Sequence, residues 1–296
     1  MREPNKSSPP ITITGRAADP IVLAFRMPLT VVFILSGSRS GSTWLSLVLG
    51  NHDWAMNLGE YWRFFLPPAD GACRFCQAMG AAECSVLYGI DNIRHEDAFH
   101  FAAERSGKQV IVDASKRLDW CRQFVDRDDM DIRLVHLVRH PCGYVESEGR
   151  RQPEVSHAAL LDDWVLLNRR IEEFIAQSGR PSCLVCYDDL ADDPKTNFPP
   201  LCAFIGHPWN RASLEYWKVP HHGLGGNGAA TVYLRKHRPG MGETGDDAFY
   251  AGIETRPTTS DTRWRDRLSP EFRRHAVNTE YAIEIKDRIG LPRFLP

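Results

Sequence analysis

The chain has 296 residues, of which 43% are hydrophobic, and its formal net charge is −2 at pH 7. This length and apolar content fit one large α/β core. The small net charge gives no general attraction to nucleic acid or to anionic membranes. No stretch reaches the roughly 18 apolar residues of a membrane-spanning helix, and the polar N-terminus is not typical of a signal peptide. We therefore expect a cytoplasmic protein whose eight cysteines are thiols.

The composition changes twice along the chain. Residues 1–28 begin with a polar, proline-rich stretch and are expected to form an N-terminal arm. Residues 29–296 are expected to form a single domain. Within it, a Gly- and Thr-rich stretch at about 238–260 is typical of an irregular insertion.

Short apolar runs between turn residues predict strands, and apolar residues at helical spacing predict helices. The predicted elements are, in chain order, a strand at 31–35, helices at 42–49 and 91–106, strands at 109–113 and 133–138, a helix from Pro141, an apolar helical stripe from Leu160 to Ile175, a strand at 184–187, and a helix to Ile205 that starts late because of Pro199 and Pro200. Strands that alternate with helices indicate a parallel sheet covered on both faces. The expected class is α/β, a P-loop-type three-layer fold with a central parallel sheet flanked by helices.

A Gly- and Ser-rich loop, SGSRSGST at 36–43, joins the first strand to the first helix. Such a turn aims backbone N–H groups and a helix N-terminus at one point, where a phosphate or sulfate binds. A nucleotide-triphosphate loop would carry a lysine before its Ser or Thr, and here that lysine is missing. Arg39 must supply the cation, since a guanidinium stays charged when buried. The hydroxyl of Ser42 or Thr43 is a further candidate for anion binding.

A second candidate anion site follows the strand at 133–138. Arg139 comes at the carboxyl end of that strand, the edge at which α/β sheets place their ligands. Ser147 lies eight residues on, about two turns into the next helix. The two side chains together can hold a second phosphate. Taken alone, a strand-end arginine is also typical of a residue that only caps neighbouring carbonyls.

These two elements, in this order, resemble those of the PAPS-dependent sulfotransferases, where PAPS is 3′-phosphoadenosine 5′-phosphosulfate. SGSRSGSTWL resembles the family's 5′-phosphosulfate loop, and LVRHPCGYVESEGRR resembles its 3′-phosphate element, with His140 where the family usually has Asp. Further resemblances cover about residues 30–230: VIVDASK (110–116), VCYDDLADDP (185–194), LCAFIG (201–206) and HHGLGGN (221–227). The nearest relatives in this resemblance are bacterial enzymes related to carbohydrate sulfotransferases.

The resemblance implies PAPS as the sulfuryl donor, adenosine 3′,5′-bisphosphate as the product, and no required metal. It implies that the nucleotide is bound by the first loop, the second element and the late Gly-rich segment: Ser38, Arg39, Ser40, Gly41, Ser42, Thr43, Trp44, Arg139, Ser147, Gly226 and Asn227. Sulfuryl transfer resembles phosphoryl transfer, in which charge grows on the leaving oxygen. Arg39 and Lys116 are the catalytic cations predicted to stabilise that charge.

Glu60, in NLGEYW at 57–62, is the predicted general base for the acceptor hydroxyl or amine. It occupies the place of the Gly-Glu segment in the bacterial relatives. Its apolar neighbours predict partial desolvation and a raised pKa, which would suit a base. A helix cap or a salt bridge is the alternative role for Glu60. His52 is the rival base, although it is expected to cap the end of the helix at 42–49.

Three cysteines, Cys73, Cys76 and Cys84, lie at short spacing, with His95 as a conceivable fourth ligand. Zinc sites usually present two clear ligand pairs, and this spacing does not. We therefore assign no metal site and expect a local structural knot, with bound zinc as the alternative.

The acceptor is expected to be a small molecule, a carbohydrate or a lipid, and not nucleic acid. Trp62, Phe64, Phe65 and the insertion are candidates to line its pocket, and aromatic side chains suit a sugar, an aryl group and a lipid alike. Two other functions stay open. One is a P-loop small-molecule kinase that uses ATP, with Asp113 as its metal-binding aspartate. The other is a non-catalytic nucleotide-binding module.

Overall fold

The structure is a computed structural model that describes residues 28–65, 73–78, 80–81, 83–223, 225–226, 234 and 260–289. The predicted arm, apart from its last residue, and the predicted insertion, apart from residue 260, lie outside the described residues. The division into an arm and one domain therefore stays a prediction.

The described part contains a five-stranded sheet in which every pair of neighbouring strands is parallel. Its strands are β1 (Leu29–Ser36), β2 (Ala55–Asn57), β3 (Val110–Asp113), β4 (Met130–Val138) and β5 (Ser182–Cys186). The central strands β1 and β4 are long apolar runs because helices cover both of their faces. The side chains from Val31 to Leu35 are at most 2% exposed.

Helices connect these strands and pack on the sheet. In chain order they are α1 (Ser42–Leu49), α2 (Arg74–Ala78), α3 (Ala98–Ser106), α4 (Leu118–Arg122), α5 (Pro141–Gly149), α6 (His157–Ser178), α7 (Tyr187–Asp192), α8 (Pro194–Ile205), α9 (Trp264–Arg267), α10 (Pro270–Val277) and α11 (Glu280–Ile289). Helix α6 contacts β1 and β4, and α3 contacts β1 and β3. The predicted three-layer α/β class is confirmed. None of the described helices is long and apolar enough to cross a membrane.

The strand order, β2-β3-β1-β4-β5, reverses direction at β1. The chain first places β2 at the outer edge and β3 between β2 and β1, and it then crosses to the other side of β1 with β4. In open parallel sheets, ligands bind beyond the carboxyl ends of the strands at this point of reversal. The loop after β1 occupies that position.

Three local predictions are wrong: the helix at 91–106, the end of the last strand, and the start of the helix that ends at Ile205. The helix predicted at 91–106 is α3 alone, because Ile93 and Arg94 are extended and separate it from a 3₁₀ turn at Ile90–Asn92. The last strand ends at Cys186, and Tyr187 already begins a helix.

Helix α8 starts at Pro194, not after Pro199 and Pro200. Asp193 caps it by accepting the Thr196 N–H, and Pro194 suits the first helical position. The two interior prolines lie on the exposed face, so the carbonyls that they leave without a donor belong to residues open to solvent.

Candidate functional site

The loop after β1 is shaped by a close approach of Tyr187. Gly41, which precedes α1, has a left-handed backbone with φ of 90°. A Cβ at this position would lie 2.1 Å from Cδ2 of Tyr187. Only glycine fits here, because both the backbone region and the space exclude a side chain. The loop is thereby held against the first turn of α1, whose amides favour an anion.

Arg39 joins this loop to the second predicted anion site. Its Nε donates to Oγ of Ser147 at 3.1 Å, and its carbonyl accepts from Nη1 of Arg139 at 2.7 Å. Its φ is 62°, a conformation that costs a non-glycine residue free energy and that clusters at functional sites. The sequence placed Arg39, Arg139 and Ser147 in two separate elements, and the structure brings them into contact.

The second element is itself fixed by buried hydrogen bonds. Trp164 Nε1 donates to the carbonyl of Arg139 at 3.1 Å. The N–H of His140 donates to Oδ2 of Asp188 at 2.7 Å. His140 also caps α5, because its Nδ1 accepts the Cys142 N–H at 3.2 Å. The imidazole thus fills the helix-capping role that suits an aspartate at this position.

Glu60 lies between two cations. It follows β2, and its Oε1 accepts from Nζ of Lys116 at 2.7 Å. Its Oε2 accepts from Nε of Arg63 at 2.6 Å. Lys116 follows β3, the neighbour of β2, and it also has a left-handed backbone, with φ of 61°. Arg39 and Lys116 are the two non-glycine residues with positive φ among the described residues, and both are predicted catalytic cations.

The expected rise in the pKa of Glu60 is wrong. Burial does raise it, but the charge and hydrogen bond of Lys116 and the contact with Arg63 lower it further. The net result is a pKa below the ordinary value of a glutamate. The carboxylate is therefore ionised at neutral pH, the form in which a base works, but its two cationic partners also make it a weaker base.

Comparison with known proteins sets this site in a known architecture. The chain matches no protein-family model and no curated protein sequence. It superposes on the sulfotransferase domain of the Synechococcus PCC 7002 olefin synthase with a TM-score of 0.55 and 19% identity, covering 91% of this chain and 96% of that one. It superposes on the sulfotransferase domain of the curacin biosynthetic pathway with a TM-score of 0.55 and 19% identity, covering 92% and 100% of the two chains. The chain has the sulfotransferase fold.

On this sulfotransferase fold, most of the predicted nucleotide-binding residues lie in the loop between β1 and α1 and in the first turn of α1: Ser38, Arg39, Ser40, Gly41, Ser42, Thr43 and Trp44. Gly226 lies beside this turn, because a Cβ there would be 2.9 Å from Cγ2 of Thr43. Asn227 lies outside the described residues. The binding roles of all these residues stay predictions.

One acidic residue at the second anion site was not predicted. Oδ2 of Asp261 lies 3.6 Å from Nη2 of Arg139, and the same carboxylate pairs with Arg263. Burial raises the pKa of Asp261, but the hydrogen bond from Arg263 and the charge of Arg139 lower it well below its ordinary value. No sequence pattern points to Asp261, since 122 positions separate it from Arg139.

Cations gather around this pair. Burial and then the charge of Arg263 lower the pKa of Arg150, with further lowering by Arg267 and Arg39. Several guanidinium groups thus lie close to one another, with Glu146 opposing their effect on the pKa of Arg150, and such a group of cations suits a site for an anion.

The expected capping role of His52 is confirmed. His52 Nδ1 lies 3.0 Å from the Leu49 carbonyl at the end of α1, and its Nε2 accepts the Asn210 N–H at 3.2 Å. Both ring nitrogens are thus engaged in structure, which leaves Glu60 as the better candidate base. His136 is buried in β4 and contacts Oδ1 of Asn168 at 2.9 Å.

Asp113 is fully buried at the end of β3. Its Oδ1 accepts from the N–H of Ser115 at 2.5 Å and its Oδ2 from Nε1 of Trp120 at 2.8 Å. Burial raises its pKa to about 6. Both oxygens of this carboxylate are engaged in internal hydrogen bonds and are not free to bind the metal of a metal–ATP complex. This observation disfavours the kinase alternative.

The predicted acceptor-side aromatics divide into two groups. Phe64 is buried, and its ring centroid lies 5.5 Å from that of Tyr61. Phe65 stacks on Trp120 at 5.4 Å. Trp62 is only partly buried, and the guanidinium of Arg117 lies 4.3 Å from its ring centroid. Phe64 therefore belongs to the core, whereas Trp62 and Phe65 are both partly buried and stay candidates to line the pocket.

None of the eight cysteines forms a disulfide, as expected. Cys73, Cys76 and Cys84 do cluster, but their neighbour is His222 and not His95. The ring of His95 packs on Phe65 instead, at 4.2 Å between centroids. His222 was missed because 138 positions separate it from Cys84, so spacing gives no signal.

Proposed function

We propose that this protein is a sulfotransferase that moves the sulfuryl group of PAPS to a hydroxyl or amine of a small-molecule, carbohydrate or lipid acceptor. The observation that carries the proposal is the double contact of Arg39. Through its side chain and its carbonyl, this residue links the loop after β1 to Ser147 and Arg139. Two anion-binding elements in contact suit a ligand with two separate phosphate groups, such as PAPS or its product.

The charges of the site support this ligand. The first turn of α1 and Arg39 would hold the 5′-phosphosulfate, and Arg139 with Ser147 would hold the 3′-phosphate. Asp261 supplies an internal carboxylate beside Arg139. A 3′-phosphate would compete with this carboxylate for Arg139.

In the proposed reaction, the anionic residue accepts a proton and the cationic residues stabilise the leaving group. Bound PAPS supplies the sulfuryl group. Glu60 accepts the proton of the attacking hydroxyl or amine as the new bond to sulfur forms. Arg39 and Lys116 stabilise the negative charge on the 5′-phosphate as its bond to sulfur breaks. In this proposal the positioning of the reactants and the fixed charges lower the barrier. No metal ligand is assigned to the reaction.

Two other functions compete with this proposal. A kinase would need a loop lysine and an aspartate that is available to a metal, and the loop at 36–43 and the internally bonded Asp113 supply neither. A non-catalytic nucleotide-binding module would bind the product nucleotide without transfer. The paired Glu60 and Lys116 favour catalysis over binding alone. The free cysteines also support a reducing, cytoplasmic setting.

A transfer assay tests the proposal directly. The full chain is incubated with sulfur-labelled PAPS and a panel of sugars, phenols, lipids and amines, and the labelled products are counted. We expect transfer to at least one acceptor class, and loss of most of this turnover in Glu60→Gln. Glu215→Gln is the matched control, since Glu215 pairs with Lys218 on the surface.

Binding separates the alternatives. Adenosine 3′,5′-bisphosphate should raise the melting temperature of the protein more than ATP with Mg²⁺. A larger shift with ATP and Mg²⁺ would favour the kinase. Tight binding of the bisphosphate without transfer to any acceptor would favour the binding module.

A further inference from the structure

Three cysteines and a histidine converge outside the proposed reaction centre. Cys73 precedes α2, Cys76 lies within it, and Cys84 comes from the following turn. His222 lies 138 positions after Cys84 in the sequence. One ligand atom from each of the four residues lies within 4.8 Å of the other three. The Nδ1 of His222 is 3.4 Å from Sγ of Cys76 and 3.1 Å from Sγ of Cys84.

These separations suit a tetrahedral metal. With ordinary Zn–S and Zn–N bond lengths, ligand atoms around one zinc ion lie about 3.6–3.8 Å apart. Thiols are weak hydrogen-bond donors and acceptors, so hydrogen bonding alone gives little reason to gather three of them around one imidazole. Three sulfur ligands and one nitrogen are a donor set that selects zinc.

Backbone amides complete the surroundings of the sulfurs. The N–H of Gly223 donates to Sγ of Cys73 at 3.3 Å, and the N–H of Leu87 donates to Sγ of Cys84 at 3.3 Å. Amide donors of this kind stabilise metal-bound thiolates and orient the ligands. The neighbouring His221 takes no part, because its Nε2 contacts the Tyr216 carbonyl at 2.6 Å.

We propose that Cys73, Cys76, Cys84 and His222 bind one structural Zn²⁺ ion. The three thiols lose their protons to solvent on binding, and the neutral imidazole coordinates through Nδ1. Four protein ligands leave no open position, so the ion fixes structure and takes no direct part in the reaction.

The segment that this ion would fix lies against the proposed reaction centre. A Cβ at Gly223 would be 2.6 Å from the carbonyl carbon and oxygen of Leu58. A Cβ at Gly225 would be 2.9 Å from Oε2 of Glu60, and one at Gly226 would be 2.9 Å from Cγ2 of Thr43. His222 therefore lies directly before Gly223, and the nearby Gly225 and Gly226 lie against the predicted base and the anion loop. This link to the nucleotide rests on the proposed function, whereas the metal site does not.

Metal content tests the site itself. The full chain, purified under reducing conditions, should contain close to one zinc per chain by elemental analysis. After replacement by Co²⁺, it should show the absorption bands of tetrahedral cobalt with thiolate ligands. His222→Ala and Cys84→Ser should lose most of the metal, whereas His222→Cys should keep it because a fourth thiolate replaces the imidazole. Cys183→Ser is the control and should keep a full complement.

Each alternative result is informative. Protein without zinc that also fails to take up Zn²⁺ or Co²⁺, or a disulfide between two of the three cysteines, would overturn the site. Retention of metal by His222→Ala would remove His222 from the ligand set.

A second measurement tests the link to the nucleotide. Chelation of the zinc should weaken binding of adenosine 3′,5′-bisphosphate about tenfold or more, since the segment at 221–226 loses its anchor. Unchanged nucleotide affinity after zinc removal would overturn the link and leave the metal site standing. Zinc-loaded protein that binds no nucleotide at all would instead count against the proposed function.

Discussion

The ammonium nitrogen of Lys116 lies 2.7 Å from Oε1 of Glu60, and the two residues follow neighbouring parallel strands. The predicted base and a predicted catalytic cation therefore form one ion pair. Lys116 lowers the pKa of Glu60 against the effect of burial. The pair keeps the base ionised at neutral pH.

Removing the cation should move the acid limb of the pH–rate profile. In the wild type the limb due to Glu60 lies below the ordinary pKa of a glutamate, and activity falls as the pH drops through it. In Lys116→Met the effect of burial is less opposed, so the pKa of Glu60 rises and the limb moves to higher pH. The profile of kcat/KM measures this shift independently of any loss of rate. Lys218→Met is the control, and an unmoved limb in Lys116→Met would remove Glu60 as the titrating group.

Arg139→Ala should discriminate between nucleotides. If Arg139 binds the 3′-phosphate, its loss should weaken adenosine 3′,5′-bisphosphate about 10–100-fold, the worth of a charge-assisted hydrogen bond. Adenosine 5′-phosphate lacks that group, and its affinity should change little. Calorimetry with both ligands measures the difference, with Arg169→Ala as the control because Arg169 pairs with Glu284 on the surface. Equal weakening of both nucleotides would contradict a 3′-specific role.

Asp261→Asn should strengthen binding of the bisphosphate. The Asp261 carboxylate lies near Arg139 and would repel a phosphate that binds there. Relief of about 1 kcal/mol of repulsion corresponds to about fivefold tighter binding. Calorimetry measures the change in affinity. Asp129→Asn is the control, because Asp129 pairs with Arg127 on the surface. Weaker binding in Asp261→Asn would mean that the carboxylate orients the cations more than it competes with the ligand.

Gly41→Ala should destabilise the fold more than the same change at Gly179. Both glycines have positive φ, so both substitutions carry a backbone cost of about 1 kcal/mol. At Gly179 the new methyl group meets nothing within 4 Å, whereas at Gly41 it meets the ring of Tyr187. The clash should add about 1–3 kcal/mol to the loss of unfolding free energy. Urea denaturation of both variants measures the difference, and similar losses would show that Tyr187 moves aside freely.

Features that depend on a few adjacent residues were predictable. The anion loop could be predicted because a strand, a Gly/Ser turn and a helix start lie within residues 31–49. The element with Arg139 and Ser147 could be predicted for the same reason, and so could the central strands. Strand β2 could not, since three residues form no pattern.

Other features arise only when distant segments meet. The sign of the pKa shift of Glu60 depends on a lysine 56 positions away. The fourth member of the cysteine cluster, His222, and the acidic partner of Arg139 are brought in by the path of the chain after β5. Such contacts cannot be predicted from sequence spacing, because they form only when tertiary packing brings distant segments together.

The contacts of Arg39 have a consequence for ligand selection. The carbonyl and the side chain of Arg39 both contact the second element, so the anion loop cannot move away from Arg139 and Ser147 without breaking these hydrogen bonds. A nucleotide whose two charged ends are spaced differently would therefore satisfy both candidate sites only if these hydrogen bonds broke. Discrimination between nucleotides would then rest on the separation of their phosphates as well as on the number of them.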